Sequence, residues 1–415
     1  MFRVASADTV LRDFNIPIAD GAGMRRALEP YGVVIGNKTY QPRDVFEEIF
    51  KRFFIEDRSG PELKVRGTRA LLDLTDNREP IMGPGGSTLN LGVTAVRLSG
   101  RQNMAFDLVA VTALDHYGDA NRRYIRDAGI NLVPSNLPRA IAPQQTTRSL
   151  AFMHGLSTTY VVFDGGAKPV VKGDFITPEL IERSTMALLP GSARRKFEPQ
   201  VAGRLFAFAR AGGKLLGYVL PSGVASAQKY ARFSQKMIRY ADVVFGNDGE
   251  MYATAYPERD QTKMHPDAAV EGLQRLFQQP LIDQGKFGRS PWKGYQLGLI
   301  TKGKDGSYFV MPHDVLDRPA ALLTQKLSTG GAGDSLAGTG LAFLVADMAP
   351  SDVLDGASNG AAAKIEKEWA AIQRDPRQNM SERVPDLTDR FVAGMEAQAV
   401  IYSGMRRATP LAARL

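Results

Sequence analysis

Ser328-Thr329-Gly330-Gly331-Ala332-Gly333-Asp334 runs directly into the small and apolar stretch Ser335-Leu336-Ala337-Gly338-Thr339-Gly340-Leu341-Ala342-Phe343-Leu344-Val345. No other segment restricts the folding of this chain as much. Glycines let successive backbone N–H groups converge on one point without Cβ clashes. A helix start adds unpaired donors and a favourable dipole, so the segment reads as an anion hole. A carboxylate repels a bound phosphate, so Asp334 adds nothing to affinity. Its position makes sense if it takes a proton from a hydroxyl that attacks the phosphorus. A glycine-rich turn capped by Asp at a helix start is the plainer alternative, and the rest of the chain must decide between them.

The chain's 415 residues suit one large α/β unit with a small appendage. Hydrophobic residues make up 44%, enough for a sizeable core. No apolar run approaches the length that spans a bilayer, and Met1 to Asp8 lacks a signal-peptide core. A cytoplasmic protein without a membrane partner is expected. The absence of cysteine excludes disulfides, thiolate metal sites and a cysteine nucleophile. His116, His154, His265 and His313 show no metal-ligand spacing. Ala211-Gly212-Gly213-Lys214-Leu215 lacks the hydroxyl residue and the loop length of a P-loop. The net charge of +8 is dispersed apart from short clusters such as Arg194-Arg195-Lys196 and Arg406-Arg407. It is read as a solubility and anion-steering feature rather than a nucleic-acid surface.

Residues 1–30 are polar and irregular and read as an N-terminal extension. Gly32 to Asn37 then looks like the first buried strand, followed by a helix over Asp44 to Phe54. Leu63 to Leu74 fits a hairpin or edge strand, Gly83-Pro84-Gly85-Gly86 a turn, and Ser87 to Leu98 a packed helix. Thr146 to His154 and Thr158 to Phe163 alternate and read as a hairpin. From about residue 175 strands and helices alternate, with strands at Thr185 to Leu189, Lys214 to Val219, Val243 to Phe245, Gln296 to Thr301 and Ser307 to Met311. This pattern predicts an α/β fold, a doubly wound and mostly parallel sheet with helices on both faces, plus a small β lid. The main body is expected over 31–400, with lid segments near 37–75 and 145–175 and a tail at 401–415.

Further polar elements sit where such a sheet binds ligands. Asn247-Asp248-Gly249-Glu250 follows the strand Val243-Val244-Phe245, at a sheet's C-terminal edge. Taken alone it is equally a capping box at the next helix. Leu299 to Ser307 reads as a strand, a glycine-containing turn and a returning strand. Gly85-Gly86-Ser87-Thr88-Leu89-Asn90 lets a flat ligand approach the backbone, or is simply a loop entering a helix. Ala357-Ser358-Asn359-Gly360-Ala361-Ala362-Ala363 begins a small-residue helix that leaves room for a flat ring or packs closely on a neighbour.

Taken in order, these segments resemble the ribokinase-like (PfkB) family of carbohydrate and nucleoside kinases. Gly331, Ala332, Gly333 and Asp334 match its G-A-G-D signature residue for residue. The resemblance implies that Asp334 is the base and that the neighbouring amides form the anion hole. It implies that Asn247 and Glu250 serve a Mg²⁺–phosphate network, with Glu250 holding the metal through water. It implies that Thr301, Gly303 and Gly306 lie beside the ATP phosphates and ribose, and that Asn359 borders the adenine. Gly85, Gly86 and Asn90 match the glycine pair that closes on the acceptor, in a form most similar to adenosine kinases. The stretch with Glu366, Trp369 and Arg374 to Arg377 resembles the tail of bacterial inosine–guanosine kinases.

Two departures stand out. Ser328 occupies a position where many members carry Asp or Asn, which removes side-chain support for a monovalent cation, a further candidate ligand. Family members also carry an Asp several residues after an initial Gly-Asn, here matched to Gly36-Asn37, and it grips two sugar hydroxyls. With the first strand at Gly32 to Asn37, that position holds Gln41, with Asp44 a helical turn later. A carboxamide offers one acceptor oxygen where a carboxylate offers two. The expected activity is transfer of the ATP γ-phosphoryl group to a primary hydroxyl of an inosine-, guanosine- or adenosine-like nucleoside. A sugar kinase of the ribose, fructose or ketodeoxygluconate type is the alternative, and an inactive kinase-fold scaffold a second. The partner is a small-molecule nucleoside or sugar; the oligomeric state stays open, a homodimer being one option.

Overall fold

The computed structural model describes residues 1–366 except 9, 37, 58, 60–63, 79, 135–143, 155–156, 166–172, 192–198, 280–295 and 324–330. In chain order the first strands are β1 (Phe2–Ala7), β2 (Leu11–Pro17), β3 (Lys38–Tyr40), β4 (Phe54–Asp57), β5 (Lys64–Gly67), β6 (Ile81–Gly85), β7 (Met104–Val109) and β8 (Ile130–Val133). They are followed by β9 (Arg148–His154), β10 (Ser157–Phe163), β11 (Met186–Pro190), β12 (Leu215–Val219), β13 (Val243–Asn247), β14 (Leu297–Thr301), β15 (Ser307–Val310) and β16 (Val315–Arg318). A nine-stranded sheet has the order β16-β15-β14-β13-β12-β11-β1-β7-β8. Its strands are parallel from β8 to β14, and at the other edge β15 pairs antiparallel with both β14 and β16. This is the doubly wound α/β sheet that the strand–helix alternation predicts.

Side chains of β1 alternate between the two faces, as a period of two requires. Phe2 and Val4 enter one core with the helices Ser87–Ser99, Ala332–Val345 and Pro350–Glu366. Ala5 and Ala7 enter the other, under the helices Pro199–Ala211, Asp248–Ala255 and Pro266–Phe277. The supposed N-terminal extension is therefore corrected: Phe2–Ala7 is an inner strand of the main sheet, paired with β7 and β11. Two polar residues hide it in the sequence, and both are satisfied by partners far along the chain. Arg3 pairs with the buried Asp107 of β7 at 3.3 Å, and the Ser6 hydroxyl donates to the Leu188 carbonyl. Gly32 to Asn37 is not a strand where it is described. Gly32 and Gly36 have φ of +66° and +79°, and Val34 is exposed. Gly83 to Gly85 belongs to β6 rather than to a turn.

A second sheet of five strands, order β3-β10-β9-β2-β6, stands on the first. The segments expected as a lid contribute β3, β9 and β10; β2 and β6 complete it, and β4 pairs with β5 in a separate ribbon. Its core is aromatic, with the Phe14 ring 5.2 Å from Phe50 and 5.1 Å from Phe54. Arg148 of β9 is buried among these rings, 4.9 Å from the centre of Phe46, and pairs with Glu47. Aromatic walls and one carboxylate offset the cost of burying that guanidinium.

Close helix packing draws the site together. A Cβ on Gly338 would stand 2.6 Å from the Leu91 carbonyl oxygen of the Ser87–Ser99 helix. On Gly203, in the Pro199–Ala211 helix, it would meet nothing. The same substitution is therefore expected to have opposite signs. Gly338→Ala should lose about 1–2 kcal/mol, overpacking outweighing the gain in helix propensity, while Gly203→Ala should gain about 0.5–1 kcal/mol. Urea denaturation midpoints check both.

Candidate active site

Between the two sheets lies a cavity of about 1240 Å³. Its floor is the C-terminal edge of the large sheet, where Pro190, Val219, Asn247 and Thr301 end β11 to β14. This edge is where open parallel sheets bind ligands. The opposite wall is the small sheet, which supplies Asp13 and Asn15 from β2, Lys38 from β3, Ser149 from β9, and Thr158 and Tyr160 from β10. Helix starts contribute Gly86, Ser87 and Asn90 on one side and Gly331, Gly333 and Asp334 on another. Lys364, near the end of the Pro350–Glu366 helix, completes the lining at that end.

Gly331 caps the Ala332–Val345 helix with φ of 75°, a left-handed conformation that glycine adopts without Cβ strain. Asp334 sits half-buried in the first turn, and its Oδ2 accepts from Asn90 Nδ2 at 3.1 Å. Asn90 is itself fixed through its helix. The helix cap, Gly86, has no side chain, so the buried Asp8 accepts from the N–H groups of Thr88 (2.8 Å) and Leu89 (3.3 Å). Asp8 directly follows β1, so the middle of the large sheet is tied to the helix that orients Asp334.

Asn247 and Glu250 form the capping box that their sequence allows, and they do so at the edge of the cavity. Asn247 Oδ1 accepts from the Glu250 N–H (2.8 Å) and Glu250 Oε2 from the Asn247 N–H (3.2 Å), a complete capping box. Glu250 Oε1 accepts from the Gly223 N–H (2.8 Å), and both side chains also line the cavity. Burial pushes the Glu250 carboxyl up to about 7, backbone N–H groups oppose the rise, and the Asp334 charge adds to it. Burial also raises the Tyr160 hydroxyl to about 12, with Asp13 and Asp334 contributing. It lowers the Lys364 ammonium to about 8 against the opposing pull of Asp334.

The arrangement is that of an α/β phosphotransferase: helix N-termini and a carboxylate meet in a cleft at the switch point of a doubly wound sheet. The model of the pfkB family carbohydrate kinases matches residues 72–375, and the chain belongs to this family. It is thus a phosphotransferase acting on a hydroxyl group, and its family uses ATP. The fold is similar to adenosine kinase from Sinorhizobium meliloti, with a TM-score of 0.68 at 19% identity over 91% of this chain and 99% of that one. A probable sugar kinase from Rhizobium etli gives a TM-score of 0.66 at 17% identity, covering 88% of this chain and 94% of that chain. Anopheles gambiae adenosine kinase gives 0.67 at 17% identity, covering 89% and 97%. No protein of curated function matches the chain by sequence.

Of the residues expected from sequence, the cavity brings together Gly85's neighbour Gly86, Asn90, Asn247, Glu250, Thr301, Gly331, Gly333 and Asp334. Ala332 begins the helix between them. Gly85 ends β6, where a Cβ would stand 2.0 Å from Asp13 Oδ2; its missing side chain leaves that carboxylate its place. Gly303 and Gly306 shape the turn after Thr301 with φ of 61° and 114°, outside the lining. Asn359 is half-buried in the Pro350–Glu366 helix, also outside it. Ser328, on which the monovalent-cation question turned, and Trp369 lie outside the described residues.

Gln41 and Asp44 are not brought to the cavity. Gln41 Nε2 donates to the Tyr31 carbonyl at 2.8 Å, and Asp44 is exposed in the first turn of the Arg43–Phe53 helix. The misplacement of the first strand produced both expectations. With β1 at Phe2–Ala7, the carboxylate several residues later is Asp13, which does line the cavity. Tyr160, Lys38 and Lys364 were also missed, because only the folded small sheet and the returning helix bring them there.

A raised carboxyl pKa makes the folded state bind more protons than the unfolded one between the ordinary 4.5 and about 7 for Glu250. Stability of the ligand-free protein should therefore fall as pH rises through that window, by up to about 3 kcal/mol. Thermal midpoints from about pH 5 to about 7.5 check this, and Glu250→Gln should flatten the slope even as it weakens the cap.

Proposed function

We propose that the chain transfers the γ-phosphoryl group of ATP to a primary hydroxyl of a nucleoside. The observation that carries the reading is the Asn90–Asp334 hydrogen bond at a glycine-flanked helix start inside the cavity. Asn90 orients the Asp334 carboxylate, which takes the proton of the attacking hydroxyl. The N–H groups of Gly331, Ala332 and Gly333, at the positive end of their helix, stabilise charge on the transferring group. Asp13 accepts from acceptor hydroxyls, the role that Gln41 and Asp44 were expected to fill. Tyr160, a large flat side chain beside it, supports a nucleoside over a bare sugar, as does the likeness to adenosine kinases.

Magnesium fits this donor set. No group of three or more His, Cys, Asp or Glu side chains among the described residues forms a metal cage. Magnesium keeps several waters and takes the rest of its shell from phosphates, so one or two carboxylates suffice. Glu250 would hold it through water, with Asn247 orienting that water. When bound, the metal neutralises charge on the phosphate oxygens. Glu250's own contribution is a carboxylate already fixed by the Gly223 and Asn247 N–H groups. The small sheet acts as the lid that keeps water, a competing acceptor, from the phosphate.

Asp334→Asn should keep ATP binding within about threefold and lower kcat by about 10²–10⁴. Unchanged turnover would remove Asp334 as the base. Asp13→Asn should chiefly raise KM for the acceptor, by about tenfold or more. Labelled ATP with inosine, guanosine, adenosine, ribose, fructose and ketodeoxygluconate tests the acceptor class. Transfer to a sugar but to no nucleoside would overturn the nucleoside reading.

A further inference from the structure

Among the described residues, three lysines line the cavity: Lys38, Lys229 and Lys364. Lys38 and Lys229 are exposed, and each lies near a tyrosine ring. Lys364 differs in being 1% exposed. Burying an ammonium costs several kcal/mol unless charge compensates, and methionine or leucine would fill the same space without that cost. Its position is fixed by the backbone. Ser335, the residue after Asp334, donates its hydroxyl to the Gly360 carbonyl at 3.1 Å. Lys364 lies one helical turn beyond Gly360, on the turn that passes the start of the Ala332–Val345 helix. It also lies in the last turn of its own helix, where the dipole favours a cation.

The charges around it are mostly acidic. Asp334 faces it from the Ala332–Val345 helix, with Glu250 and Asp13 along the same cavity and Glu366 buried on its own helix. On β16, Asp317 and Arg318 are engaged with Lys302 and Asp355. A polyphosphate entering here meets carboxylates already in place, in a medium where like charges repel far more than in water.

We propose that Lys364 is a positioning residue for phosphoryl transfer, a fixed ammonium that balances the Asp334 carboxylate and holds it ready against the incoming phosphate. The inference rests on Asp334 being the base. No bond to Lys364 forms or breaks. The partial loss of basicity caused by burial, resisted by Asp334, agrees with an ammonium kept charged by that partner.

The test uses the full chain. Lys364→Met should lower kcat for adenosine or inosine by about 100-fold while KM for ATP stays within about threefold; Lys364→Arg should recover a tenth or more of the loss. In Lys364→Ala, added methylammonium or ethylammonium should restore part of kcat, and ethanol should not. Independently of activity, Lys364→Met, Asp334→Asn and the double variant form a cycle in urea denaturation. The two sites should be coupled, the double variant being more stable than additivity predicts. Coupling without transfer to any acceptor would leave the pair standing and defeat the proposed function. Normal kcat in Lys364→Met, or additive denaturation midpoints with no rescue by ammonium ions, would overturn the inference.

Discussion

The site depends on three helices that approach more closely than ordinary side chains permit. Gly338 lets the Ala332–Val345 helix rest on the Leu91 carbonyl, and Gly356 and Gly360 let the Pro350–Glu366 helix close on Phe343 and Thr339. Those contacts bring Asn90, Asp334 and Lys364, each from a different helix, to one end of one cavity. A larger residue at these seams would move a functional group by the thickness of a methyl, and the hydrogen bond from Asn90 to Asp334 has no slack for that. The small residues after Asp334 thus serve packing first and chemistry through packing.

Around this seam the electrostatics are arranged by burial. Burial raises the Glu250 carboxyl and lowers the Lys364 ammonium, and the Asp334 charge acts on both. Low dielectric makes each of these groups more sensitive to its neighbours than it would be in water. A ligand carrying several negative charges therefore changes the state of the whole cluster rather than of one residue.

Much of this was legible in the chain. Parallel strands read as apolar runs because helices cover both faces, so β11 to β14 stood out, as did the hairpin of β9 and β10. The helix start at Gly331 to Asp334 was legible because a glycine run before a small, apolar helix leaves few other conformations. The inner strand Phe2–Ala7 was not. Arg3 and Ser6 break its apolar pattern, and their compensation by Asp107 and the Leu188 carbonyl lies more than a hundred residues away. From that one error followed the neglect of Asp13 and the attention given to Gln41 and Asp44. Lys364 was invisible for another reason: on a helical pattern a lysine reads as a solvent-facing residue, and only tertiary packing buries it.

Glu250 seals the first turn of one helix, fastens the Gly223 segment and faces the cavity with the same carboxylate. On the proposed reading, chemistry and architecture are inherited together at this position. A lineage that gave up phosphoryl transfer would still be under pressure to keep the acid for its scaffold. One that altered the acid to tune turnover would have to repair a helix end elsewhere. Change in this corner of the enzyme is therefore expected to be slow and to arrive in pairs.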